Sequence, residues 1–70
     1  MQLTVNGEQK EYAEDSLTLT QLLVKQRVES PEMVAVQVNG EFVAQQQYDG
    51  LLLRQGDTVE FLYFMGGGAA

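Results

Sequence analysis

The sequence predicts an α+β domain, a mixed sheet of four to five strands packed on one helix. Three observations point to it. Residues with a period of two flank two Asn-Gly pairs, Asn6-Gly7 and Asn39-Gly40, and that dipeptide suits the positive φ values of a two-residue hairpin turn. Between the hairpins lies one segment with leucines at helical spacing, Leu19, Leu22 and Leu23. A last apolar stretch, Thr58 to Met65, follows the turn sequence Gln55-Gly56-Asp57. A helix laid over one face of a mixed sheet buries the apolar side of both layers.

In chain order, Leu3 and Val5 alternate with Gln2, Thr4 and Asn6, the pattern of a half-buried strand. A second strand is expected from Glu8 to Tyr12, followed by a polar stretch to Leu17 without periodicity. Thr18 is placed to cap the helix, and Gln21, three residues on, can complete a capping box. Lys25 and Arg27 fall near the helix end, where cations suit its dipole. Pro31 disfavours helical geometry at Ser30, so Glu29 to Glu32 reads as a loop. Met33 to Val38 is rich in β-branched residues and predicts a central strand covered on both faces. Glu41 to Val43 follows as a short strand. Ala44 to Leu53 is ambiguous: Tyr48-Asp49-Gly50 reads as a turn, and Leu51 to Leu53 as a brief strand that inserts leucines under the sheet. The expected organisation is one folded domain over residues 1–65 and a flexible glycine-rich tail over residues 66–70.

Seventy residues lie near the lower size limit for a self-sufficient core. The chain has no cysteine and no histidine. Disulfides, thiol nucleophiles and thiolate metal sites are excluded, and the side chain most used for proton transfer near neutrality is missing. Self-contained catalysis is not expected, and neither is a bound metal. Ten acids against Lys10, Lys25, Arg27 and Arg54 give a net charge of −6. That balance disfavours a nucleic-acid partner and would steer the chain toward a basic protein surface. The plainer use of the charge is solubility. Phe61 to Met65 is far too short to span a membrane, and the opening residues lack a basic flank and apolar signal core. A cytoplasmic location is the expectation.

The last strand is apolar on two faces. Val59, Phe61, Tyr63 and Met65 share one, and Leu62 and Phe64 share the other with Glu60. Two readings compete for Leu62 and Phe64: the segment from Ala44 to Leu53 folds over them, or they form an exposed patch of the kind that marks a protein contact. Gly66-Gly67-Gly68 comes directly after. Three glycines have no use in a packed element, and residues 66 to 70 could reach roughly 17 Å from the fold when extended. Such a thread can enter a tunnel that admits little beyond backbone; the competing reading is a frayed terminus.

Taken in order, Leu3-Thr4-Val5-Asn6-Gly7, Thr18-Leu19-Thr20-Gln21-Leu22-Leu23, Val34-Ala35-Val36-Gln37-Val38-Asn39-Gly40-Glu41, Gln55-Gly56-Asp57-Thr58-Val59-Glu60-Phe61 and Gly67-Gly68 resemble the ubiquitin-like sulfur carriers, closest to the ThiS family of thiazole biosynthesis. The resemblance spans essentially the whole chain. It implies a β-grasp fold and a carrier whose C-terminal glycine is adenylated by an E1-like enzyme using ATP and magnesium. A persulfide sulfur donor then converts the acyl adenylate to a thiocarboxylate, which supplies sulfur to thiazole synthase. The chain itself would bind no cofactor. Carried onto this sequence, Gly68 and Gly67 bear the chemistry; the apolar patch beside the glycines makes Leu62, Phe64, Met65 and Gly66 the expected docking residues. Ala69-Ala70 depart from the family pattern, because Gly68 then lacks a free carboxylate. Removal by a trimming protease, addition during cloning and loss of carrier chemistry are the three accounts. Trimming ranks first, from the spacing of Gly68 to Gly56-Asp57. Carriers for molybdopterin or sulfur amino-acid synthesis share these features, and a β-grasp interaction module with an inert tail is the alternative from another class.

Overall fold

Seven short strands and one helix follow one another along residues 1–63, which the computed structural model describes: β1 (Gln2–Val5), β2 (Glu8–Glu11), β3 (Leu17–Thr18), α1 (Leu19–Lys25), β4 (Val34–Val38), β5 (Glu41–Val43), β6 (Leu52–Leu53) and β7 (Thr58–Tyr63). The main sheet has the order β2-β1-β7-β4-β5. Pairing is antiparallel except between β1 and β7, which run parallel. β3 and β6 form a separate two-stranded antiparallel sheet, Leu17 opposite Leu53.

Both Asn-Gly pairs make the expected tight turns: Asn6 and Asn39 each have φ of 52°, and Gly7 and Gly40 have φ of 85° and 86°. The hairpin registers follow, with Val5 opposite Glu8 and Val38 opposite Glu41.

At seven residues, α1 is too short to be stable by itself in water. It forms because Leu19, Leu22 and Leu23 are buried against the sheet and because its start is well satisfied. The Thr18 hydroxyl accepts from Gln21 N–H at 3.1 Å, and Gln21 Oε1 accepts from Thr18 N–H at 2.9 Å, completing the capping box. The first two helical N–H groups, which have no partner inside any helix, donate to carbonyls of the segment before β6: Leu19 to Leu51 and Thr20 to Tyr48. At the other end, Val28 N–H bonds to the Leu23 carbonyl and Arg27 N–H to that of Val24. This is a Schellman stop, with Arg27 rather than glycine in the left-handed position at φ 59°. Arg27 therefore lies just past the helix, and Lys25 is the cation of its last turn. Lys25 also bonds to Glu14 at 3.0 Å, which holds the Glu14 carboxyl below the usual carboxylate range.

Four expectations need correction. Leu17–Thr18 is a short strand where none was expected, and it runs directly into the helix that Thr18 caps as expected. The loop before β4 contains a turn of 3-10 helix, Pro31–Met33, so Met33 stands outside the strand and is exposed. β4 is covered on one face only: Val34 and Val36 are buried, while Ala35 and Gln37 are half-exposed. The strand at the centre of the sheet is β7. The segment 44–53 packs on the helix side, with Tyr48 and Leu53 in the core beside Leu3, Val5, Leu17, Val36, Val59 and Phe61. Burial raises the Tyr48 hydroxyl above the ordinary tyrosine range.

Candidate functional site

β7, whose last described residue is Tyr63, is the central strand of the sheet. Val59 and Phe61 anchor it on the inner face, at 0 % and 6 % exposure. Side chains supplement the ladder on both its flanks. Asn39 Oδ1 accepts Thr58 N–H at 2.9 Å, and Asn39 Nδ2 donates to Asp57. On the other flank, Asn6 Oδ1 accepts Phe61 N–H at 2.8 Å.

The outer face follows from the strand register. Ala35 lies opposite Leu62, and Gln37 lies between Phe42 on β5 and Glu60 on β7. Leu62 is 43 % and Phe42 65 % exposed, so with Ala35 they form an apolar strip beside the end of β7. The outward strand positions also carry Glu11 and Glu60 and no lysine or arginine. Beside Leu62 only Glu60 is acidic, so this face can offer an apolar contact flanked by one negative charge to an apolar partner surface with a basic neighbour.

Of the residues singled out in the sequence, Leu62 lies on this face. Phe64, Met65, Gly66, Gly67 and Gly68 lie outside the described residues. Tyr63 shares the inward register of Val59 and Phe61 but is 55 % exposed at the strand end. Phe42 was missed by sequence reasoning, although a two-residue turn at Asn39-Gly40 pairs residue 37 with 42 and so places Phe42 on the face away from the buried Val34 and Val36. Among the described residues, no group of three or more potential metal ligands comes together, and no helix is long and apolar enough to cross a membrane.

One helix gripped by a five-stranded mixed sheet with parallel β1 and β7, the last strand central, is the β-grasp fold of ubiquitin-like proteins. Comparison with known proteins refines this. The crystal structure of the thiamine biosynthesis protein ThiS from Geobacter metallireducens superimposes with a TM-score of 0.87 at 45% identity, covering 97% of this chain and all of that one. The curated sulfur carrier protein ThiS of Bacillus subtilis is 30% identical over 66 residues, 94% of this chain and 98% of that protein. A thiazole synthase from Paramagnetospirillum magneticum is 36% identical over 69 residues; the chain spans 21% of that protein's length. The family model of the ThiS family matches residues 3–68. The chain belongs to the ThiS family.

Proposed function

We propose that this chain is a sulfur carrier for thiamine thiazole synthesis, and that the acyl group of Gly68 is its reacting position. The observation that carries the reading is the reach of the family match, which continues past the central strand, runs through Gly67 and ends at residue 68. No histidine or cysteine is needed, because partner enzymes supply the catalytic groups.

The carboxylate of Gly68 attacks the α-phosphorus of ATP, held with magnesium on an E1-like adenylyltransferase, and pyrophosphate leaves. The carboxyl oxygen becomes part of an AMP leaving group. The terminal sulfur of a persulfide donor attacks the carbonyl carbon and expels AMP. A thiol then cleaves the resulting sulfur–sulfur bond, leaving a glycyl thiocarboxylate. Glycine suits the position because no side chain hinders attack at its carbonyl. Adenylation at Gly68 requires removal of Ala69-Ala70, which lie beyond the family match; a trimming protease is the expected agent.

Thiazole synthase is the proposed sulfur recipient. Support comes from the Paramagnetospirillum protein of that name, in which a region similar to this chain is part of a longer polypeptide. Leu62 and Phe42 on the outer face, together with Phe64, Met65 and Gly66, which follow β7 in the sequence, are the proposed docking residues for the activating enzyme.

Reconstitution tests the reading. The chain ending at Gly68, incubated with the E1-like enzyme of its own genome, ATP, magnesium and a persulfide donor, should exchange one oxygen for sulfur by mass, and the full chain should not. Equal loading of a chain truncated before Gly67 would overturn it. Sulfur transfer to a molybdopterin-type or amino-acid-type recipient in place of thiazole synthase would reassign the pathway.

A further inference from the structure

The parallel ladder between β1 and β7 steps two residues at a time: Thr4 N–H bonds to the Asp57 carbonyl and Asn6 N–H to that of Val59. In that progression the next donor on β7 is Phe61 N–H, and its partner would be the backbone carbonyl of Asn6. At Asn6, however, the chain turns into the hairpin with φ of 52°, and β1 ends at Val5. The Asn6 side chain takes the place of its own backbone carbonyl, accepting Phe61 N–H at 2.8 Å. Asn39 makes the equivalent bond at the opposite end of β7, to Thr58 N–H. The two asparagines do the same structural work at different distances from the reacting end.

We propose that Asn6 is a positioning residue for the carrier reaction, its Oδ1 holding the final residues of β7 in the plane of the sheet so that the strand end at Tyr63 is fixed in one orientation. This rests on the carrier reading above. The β1–β7 ladder ends at Asn6, so Leu62 and Tyr63 are paired to β4 only, Leu62 opposite Ala35 and Tyr63 opposite Val34. Without the Asn6 bond, the last three residues of the strand are held by β4 alone and fray more readily. A partner that accepts one trajectory then meets a smaller competent fraction, and apparent affinity falls by that fraction with no change in the chemical step.

Asn6→Gly is the informative variant, since glycine tolerates the turn's positive φ and only the side-chain acceptor is lost. Asn6→Asp retains an acceptor oxygen, and Asn39→Gly removes the matching bond far from the reacting end. Amide exchange is followed by NMR in the full chain, and ATP–pyrophosphate exchange with the E1-like enzyme in the form ending at Gly68. Asn6→Gly should accelerate exchange at Phe61 and Leu62 and raise the carrier's KM about fivefold or more with kcat unchanged. Asn6→Asp should restore both, and Asn39→Gly should leave both near wild type despite a lower Tm. Unchanged exchange at Phe61 and Leu62 in Asn6→Gly would overturn the brace whether or not the protein is loaded. An equal KM rise in Asn39→Gly would reduce the effect to general destabilisation and overturn it also. Failure of the wild-type protein to be loaded would instead strike the carrier reading, while the exchange data still decide the brace.

Discussion

Leu53 is fully buried on a strand of only two residues, and Thr18 both ends β3 and caps α1. Each therefore joins two layers of the fold. Leu53→Ala should cost about 2–5 kcal/mol, the range for emptying a leucine site in a core, and Thr18→Ala about 1 kcal/mol for the lost cap; urea titration reads both. Tyr48 gives a pH signature. Its hydroxyl is raised by burial, so the folded protein keeps it neutral to higher pH than the unfolded chain does. Its contribution is complete below about pH 10, the unfolded value, and is lost as pH rises through the folded one. Stability measured by denaturant from pH 8 to 11 should fall, and Tyr48→Phe should flatten that slope. The capping box at this scale was legible because Thr18 and Gln21 are three residues apart. The bonds of Asn6 to Phe61 and Asn39 to Thr58 were not, because a local turn signal says nothing about partners 55 and 19 residues away.

Among the elements, α1 has a helix stop that the sequence conceals. A glycine ordinarily occupies the left-handed position of a Schellman motif, and Arg27 holds it here. With no glycine to mark the end, Arg27 read as part of the helical segment, and Pro31 became the visible boundary. Arg27→Gly should raise stability by about 0.5–1 kcal/mol, because a non-glycine residue pays roughly 1–2 kcal/mol in that conformation and glycine returns part of the gain through unfolded-state entropy; an unchanged or lower melting midpoint would contradict this. β1, β2, β5 and β7 were legible through alternation and Asn-Gly turns. β3 was hidden because two residues carry no period, and β4 looked covered on both faces because Ala35 interrupts its pattern without a polar mark. The segment 44–53 has no periodicity of its own. Its order comes from Tyr48 in the core and from carbonyls that satisfy the start of α1, contacts that exist only after the helix is in place.

For the molecule as a whole, the packing of segment 44–53 on the helix side matters most, because it leaves the outer sheet face open around Leu62 and Phe42. A partner seated there should depend on both. Leu62→Asp should weaken binding of the E1-like enzyme at least about tenfold, equivalent to about 1.4 kcal/mol, while costing less than about 1 kcal/mol of stability at a half-exposed strand position. Titration calorimetry against a melting curve separates the two, and unaltered affinity would remove the strip from the interface. The fold class and the family resemblance were both legible, since hairpins, helix and terminal glycines recur in a fixed order. The sheet order was less so, because the parallel pairing of β1 with β7 joins the two ends of the chain and no local pattern announces it. The central claim concerns the acyl group at residue 68, and the intact mass of the protein isolated from its native host, grown without thiamine, tests it most directly. Part of the population should end at Gly68 and carry one sulfur in place of one oxygen. A population that always retains Ala69-Ala70 in cells making their own thiamine would contradict the account.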